Sequence, residues 1–100
     1  MIENQIKEQL DLIQKRIQDY KIIHHDHAAT CKFLLSKYEV AMETIQDKDS
    51  PKAKAFVVWN RWFAPRILFE GIADPELLMR IENLHLLLIQ IIDIENLEKE

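Results

Sequence analysis

The first fifty residues read MIENQIKEQLDLIQKRIQDYKIIHHDHAATCKFLLSKYEVAMETIQDKDS (residues 1–50), and they contain neither glycine nor proline. Apolar side chains recur through this stretch at spacings of three and four. Such spacing keeps side chains on one face of an α-helix, which turns once every ~3.6 residues. The residues on this stripe are Ile2, Ile6, Leu10, Ile13, Ile17, Tyr20, Cys31, Leu34, Tyr38, Met42 and Ile45. The pattern predicts an all-helical protein.

The second half of the chain carries the prolines and the single glycine, at positions typical of helix ends. Ser50-Pro51 and Asp74-Pro75 each place a capping side chain before a proline at the first helical position. Gly71 suits the left-handed position just beyond a helix. Together these signals predict one helix over about 51–70 and another over about 75–97.

The sequence His24-His25-Asp26-His27 allows two interpretations of the first half. If it is a turn, two helices at about 2–23 and 27–47 join the later pair in an antiparallel four-helix bundle with short loops. If the helix continues through it, residues 2–47 form one long helix, which requires an intertwined dimer to cover it. Histidine and aspartate are poor helix formers and favour the turn, whereas the uninterrupted stripe favours the long helix.

Composition limits the function classes. A chain of 100 residues with 48% hydrophobic residues suits one helical domain over 1–100, and its net charge is −4. Cys31 is the only cysteine, so it cannot form an internal disulfide, which suits a reducing compartment. No signal peptide is recognisable, and the most apolar stretch (84–92) is far shorter than the ~20 residues that span a bilayer. We expect a cytoplasmic protein that does not enter a membrane.

The histidines raise the question of a metal. Three of the four histidines lie within 24–27 beside an aspartate, and imidazoles bind zinc, nickel and copper. A complete site needs ligands from another helix, and His85 is the only remaining histidine. Glu82 and His85 form a single Glu-x-x-His pair, whereas di-iron bundles need two. We therefore expect no bound metal and no cofactor.

One short motif suggests an alternative function. Arg80-Ile81-Glu82-Asn83-Leu84-His85 fits the pattern Arg-x4-His and resembles the signature of the HEPN nucleases, helical proteins that cleave RNA as dimers. The resemblance covers these six residues, and Ile81 departs from the polar residue that usually follows the arginine. It implies that Arg80 steadies the phosphate and that His85 acts as general acid or base.

The third predicted helix has an unusual composition. Residues 51–69 carry four basic residues and no acid, so this segment is at +4 while the remaining residues sum to −8. The segment also holds five of the eight aromatic residues, which are Phe56, Trp59, Trp62, Phe63 and Phe69. Trp59 and Phe63 are four residues apart and can face the core together, with Trp59 the more buried tryptophan. Pro65 lies within the helix and predicts a kink there.

Arginine and large aromatic residues most often anchor protein interfaces. A kink at Pro65 would present Arg61, Trp62 and Arg66 together. The fourth helix is apolar around most of its circumference over 84–94, and a two-fold dimer would cover its exposed part. The expected interface residues are Arg61, Trp62, Arg66, Phe69, Leu88 and Ile92.

The sequence predicts a non-enzymatic protein-binding module, such as a small regulator, adaptor, immunity-type or inhibitor protein, that acts through helical surfaces and forms a homodimer. No catalytic residue is assigned. Nucleic acid is not the expected partner, because the chain is acidic overall and lacks a long basic stripe. The alternative is a small dimeric HEPN-like RNase that uses Arg80 and His85.

Overall fold

The structure is a computed structural model that describes residues 1–94, without the side chains of Phe69 and Glu70. It is all-helical as predicted, and the described residues include no β-strand. No helix among them is long and apolar enough to cross a membrane. The helices are α1 (Ile2–Ile23), α2 (Ala28–Glu39), α3 (Ala41–Thr44), α4 (Pro51–Val58), α5 (Ala64–Gly71) and α6 (Pro75–Leu88).

The histidine-rich segment is a turn. α1 ends where His24 adopts φ −117° and ψ 79°, and a 3₁₀ turn over His25–His27 leads into α2. The ring of Tyr20 stacks on that of His24 with 4.2 Å between centroids. Of the two interpretations of this segment, the turn is confirmed and one continuous helix over 2–47 is wrong. α1 and α2 instead pack against each other within the chain.

The second predicted helix, 27–47, is shorter than expected. α2 stops at Glu39, Val40 adopts φ −99° and ψ 4°, and the short α3 ends at Thr44. Ala41 rather than Met42 continues the buried stripe, and 38% of Met42 stays exposed. The break at Val40 leaves this side chain 49% exposed at the surface.

The third predicted helix, 51–70, is interrupted next to Pro65, but by a wider turn rather than a simple kink. Residues Trp59–Phe63 form a π-helical turn in which the N–H of Ala64 bonds to the carbonyl of Trp59, five residues earlier. Pro65 follows as the second residue of α5 and has no N–H to donate. The wider turn places Asn60 in the core with no exposed surface.

Gly71 does not have the conformation predicted for it. It is the last residue of α5, and no described glycine has a positive φ. Its small size instead admits the ring of His27, since an added Cβ would lie 3.3 Å from two atoms of that ring. Gly71 therefore permits close packing between the end of α5 and the turn that follows α1.

α6 begins as predicted and ends early. The Asp74 carboxylate accepts hydrogen bonds from the N–H groups of Glu76 (3.1 Å) and Leu77 (3.3 Å) and pairs with Arg16 of α1, whose Nε lies 2.7 Å away. The helix was expected to reach 97, but it ends at Leu88 and the chain turns. Residues 95–97 of the predicted helix lie outside the described part.

The core forms where α1 packs against both α2 and α6. Most of the large, fully buried side chains come from these three helices and from the turn after α6. They include Ile6, Leu10, Ile13, Ile17, Leu34, Tyr38, Leu77, Ile81, Leu84, Leu88 and Ile92. α4 and the π turn cover the side of this core next to α2 and α6.

Candidate functional site

Trp62 and Arg61 form an exposed pair on the π turn. Trp62 is 56% exposed, and the guanidinium carbon of Arg61 lies 4.7 Å from the centre of a Trp62 ring. At that distance the cation is attracted to the ring face. Trp59 is partly buried against the core, so the expectation that Trp62 is the more exposed tryptophan is confirmed. Arg66 is exposed on α5, and the side chain of Phe69 lies outside the described residues.

Two residues expected in a protein interface lie in the core instead. Leu88 has no exposed surface and Ile92 is 1% exposed. The chain turns after Leu88, and both side chains belong to the core rather than to the surface. Leu86 and Ile89 are the large apolar residues near this turn that remain exposed, at 58% and 42%. The expected assignment of Leu88 and Ile92 to an interface is therefore corrected.

Leu86 of α6 and Ile89, which follows that helix, lie next to Arg61. One surface depression is lined by Arg61 together with Leu86, and a second by Arg61 together with Ile89. We call Arg61, Trp62, Leu86 and Ile89 the tryptophan surface. It combines a large aromatic ring, a guanidinium and two aliphatic side chains, which is the composition of many interface centres.

A larger groove lies elsewhere on the surface. One of its sides is formed by α2 and α3, and the other by α4 and the π turn. Its volume is about 870 Å³. We call it the basic groove. It is lined by Lys37, Val40, Thr44, Asp49, Pro51, Lys52, Lys54, Ala55, Phe56, Val58, Trp59 and Phe63.

Packed aromatic rings form the floor of the basic groove. Trp59 stacks on Phe56 with 6.1 Å between centroids, and the ring of Tyr38 meets Trp59 edge-on at 5.5 Å. Phe33 of α2 meets Trp59 edge-on at 6.5 Å. Because three neighbouring rings contact the Trp59 ring, the floor of the groove is preformed in the folded chain.

Lysines surround this apolar floor. The ammonium of Lys37 lies 5.6 Å from the ring centre of Phe33 and 5.9 Å from that of Trp59. Lys52 and Lys54 come from the first turns of α4, where the side chain of Ser50 caps the helix by accepting from the N–H of Ala53 at 3.1 Å. Asp49 is the one acidic residue in the lining, so the groove is basic within an acidic chain.

Part of this groove was predictable from the sequence and part was not. The basic and aromatic character of 51–69 is evident in the sequence, but Phe63 was expected to face the core with Trp59. Phe63 is 51% exposed and lies at the mouth of the groove. Lys37 and Val40 were not expected at the site, because nothing in the local pattern places α2 and α3 opposite α4.

A polar contact in the core lies directly behind the groove floor. The hydroxyl of Tyr38 donates to Oδ1 of Asn60 at 2.5 Å, and Nδ2 of Asn60 donates to the carbonyl of Ile81 at 3.2 Å. Burial raises the pKa of Tyr38, so its hydroxyl stays protonated and remains a donor. These bonds fix α2, the π turn and α6 relative to one another. They therefore set the position of the groove walls.

The two residues of the nuclease-like motif do not share a cleft within the chain. Arg80 lines a depression with Arg16 and Asp19 of α1. His85 lines a different one beside Arg61 and Pro65. Arg80 and His85 thus line different depressions of the described chain.

The histidine-rich turn has a packing role in the structure. His24 stacks on Tyr20, and His27 lies against Gly71 and 3.6 Å from the carboxylate of Asp26. Within residues 1–94, no group of three histidine, cysteine, aspartate or glutamate side chains has a geometry that could hold a metal ion.

No protein-family model, curated protein or solved structure matches this chain.

Proposed function

We propose that the protein is a non-enzymatic protein-binding module, of the kind found in small regulators, adaptors, immunity-type proteins and inhibitors. The observation that carries this proposal is the basic groove, an opening of about 870 Å³ with an aromatic floor in the folded chain. Exposed apolar surfaces of this kind mark interaction sites in globular proteins. The scaffold we propose is an antiparallel bundle in which α2 with α3, and α4 with α5, each act as one interrupted helix.

Two neighbouring residues belong to different proposed binding surfaces. Trp62 and Phe63 are successive residues of the π turn, so their side chains point in different directions. Phe63 belongs to the basic groove, which we assign to a protein partner. Trp62 belongs to the tryptophan surface, which we assign to a second copy of the chain in a cytoplasmic homodimer.

The case for a dimer is weaker than the sequence alone suggested, because Leu88 and Ile92 are already buried within one chain. The dimer proposal now rests on three large apolar side chains that are exposed close to Arg61, those of Leu86, Ile89 and Trp62. Light scattering should give twice the chain mass of 11.9 kDa at micromolar concentration, and Leu86→Glu should return the monomer mass. A wild-type mass of one chain at every concentration contradicts the dimer and leaves the groove proposal standing.

Nucleic acid binding and RNA cleavage have weaker support. Stacking of a base on Trp59 is restricted, because Phe56 already stacks on this ring and the rings of Tyr38 and Phe33 meet it edge-on. The chain carries −4 overall, which opposes binding to a polyanion. Arg80 and His85 line separate depressions.

Site-specific photo-crosslinking in cells that naturally express the protein tests the binding function. A benzophenone amino acid replaces Phe63 at the groove mouth, and the matched control carries it at Gln18, an exposed position on α1. We expect a discrete protein adduct from position 63 and none from position 18. An absence of adducts at position 63, or adducts that ribonuclease removes, would contradict the proposal.

A further inference from the structure

The walls of the basic groove are helical, and this restricts what can bind there. α2, α3, α4 and the π turn use their backbone N–H and C=O groups within their own turns. The side chain of Ser50 satisfies the N–H of Ala53 in the first turn of α4. The groove therefore offers no strand edge that could pair with an extended peptide. A bound segment must satisfy its own backbone groups as it leaves water, and a helix does this.

The apolar side chains at the mouth are suited to a helix laid along the groove. Val40 and Phe63 line the groove and are 49% and 51% exposed, whereas Phe56 of the lining is 7% exposed. Phe33, which meets Trp59 edge-on, is 47% exposed. A helix that carries apolar residues at positions i, i+4 and i+7 would cover the exposed rings and project side chains toward the floor.

The charges around the groove favour a partner of negative charge. The groove lining contains three lysines, Lys37, Lys52 and Lys54, and one acidic residue, Asp49. The segment 51–69 contains no acid. The rest of the chain is acidic, so the groove is where a negatively charged partner is attracted rather than repelled. Lysines at the rim of an interface favour acidic residues that flank the apolar face of the partner, and they disfavour basic ones.

We infer that the occupant of the basic groove is an acidic amphipathic α-helix of a partner protein, with its apolar face on Phe56, Trp59 and Phe63 and its carboxylates at Lys37, Lys52 and Lys54. The inference rests on the proposed binding function and adds the chemistry of the partner. The bonds from Tyr38 to Asn60 and from Asn60 to Ile81 hold the groove walls in place, so binding requires little rearrangement.

An unbiased selection tests this inference. Random peptides of about 15 residues, roughly four helical turns, are displayed on phage and selected on the wild-type protein. Binders that also bind Phe63→Glu are removed, and Val40→Glu provides a second variant at the groove mouth. Both residues are about half exposed, so both variants should fold, which circular dichroism checks.

We expect the enriched peptides to be net negative, to carry apolar residues at helical spacing and to become helical on binding. For a synthesised peptide, the double change Lys52→Glu/Lys54→Glu should raise Kd at least ~10-fold, because two attractive contacts become repulsive. The matched control Lys7→Glu/Lys15→Glu makes the same charge change on α1 and should alter Kd less than ~2-fold. The reversed groove should in turn prefer a peptide in which lysines replace the glutamates.

Several outcomes overturn the inference. They are enrichment of basic or proline-rich peptides, equal effects of the two double variants, and no peptide that depends on Phe63. Dodecanoate and oligothymidylate serve as probes for an apolar acid and for single-stranded nucleic acid. Binding of each probe is followed by Trp59 fluorescence in the Trp62→Phe variant. If either probe binds and no Phe63-dependent peptide is found, the inference that the groove binds a helix is also refuted.

The crosslinking experiment separates the two proposals. If position 63 gives a protein adduct whose attached segment is basic or extended, the partner chemistry is wrong and the binding function stands. If position 63 gives no protein adduct, the binding function fails and the inference fails with it.

Discussion

Tyr38 and Asn60 provide the sharpest test of how the groove is held. Tyr38 is 1% exposed and Asn60 has no exposed surface, and the hydroxyl of Tyr38 donates to Oδ1 of Asn60 at 2.5 Å. Tyr38→Phe removes the donor and changes little else in the shape of the core. Oδ1 of Asn60 then stays buried without this donor.

The expected cost follows from that geometry. Removing one partner of a buried hydrogen bond costs about 1–3 kcal/mol, because the remaining group keeps its desolvation penalty. We expect a loss of about 2 kcal/mol, because both groups are buried and the amide is neutral. In a domain of this size such a loss lowers Tm by roughly 8–16 °C. Tyr38→Phe/Asn60→Leu should recover part of the loss, because the stranded Oδ1 is removed. The recovery is incomplete, because the bond from Nδ2 of Asn60 to the Ile81 carbonyl is lost as well.

Urea unfolding followed by circular dichroism measures the free energy of unfolding of each variant. Ser36→Ala is the control, since Ser36 lies on the same helix and its hydroxyl donates to the Phe33 carbonyl at an exposed position. It should change stability by less than ~0.5 kcal/mol. If Tyr38→Phe is as stable as this control, the buried bond does not hold the π turn against α2, and the account of a preformed groove fails.

Three further predictions concern the same framework. Trp59→Ala should cost about 3 kcal/mol of stability, as truncation of a large packed aromatic does. Trp62→Ala should cost under ~1 kcal/mol of stability but weaken protein association by ~2 kcal/mol. Urea unfolding measures the stability changes, and light scattering measures the association. Asp74→Ala should lower stability by about 1–2 kcal/mol through loss of the α6 cap. Asp74→Asn should lower it by less, because the amide still caps the helix although the charge facing Arg16 is gone. Equal losses of the two variants in urea unfolding would assign the effect to the ion pair. Burial raises the pKa of Tyr38 above its ordinary value of about 10, so the unfolded chain loses this proton first as the pH rises; the stability that the proton provides is complete below pH ~10 and declines above it. The stability difference between wild type and Tyr38→Phe should therefore shrink from pH 9 to pH 11 in urea titrations, and a constant difference would contradict the shift.

Helix starts were predictable because their causes are local. Ser50 and Asp74 accept hydrogen bonds from N–H groups two or three residues further on, and a proline follows each of them. Such contacts depend only on nearby sequence. The helix ends at Glu39 and Leu88 were missed, because neither is followed by the glycine or proline that marks a helix end in sequence.

The candidate site was only half visible in the sequence. The apolar and basic character of 51–69 was evident, and the exposure of Trp62 followed from its offset from Trp59. The π turn changed the facing of the residues after Trp59, so Asn60 entered the core and Phe63 left it. No local pattern signals such a turn, because it depends on a buried partner for Asn60 that comes from Tyr38 on another helix.

The sequence by itself determined that the chain is helical, where α4 and α6 begin, and that an acidic chain carries one basic aromatic segment, because each follows from spacing, capping or composition. Only the tertiary structure decided that Leu88 and Ile92 are core and that Lys37 and Val40 face Phe63 across a groove. Burial and opposition of surfaces depend on which helices meet. That is settled by the packing of α1 against α2 and α6, not by any single segment.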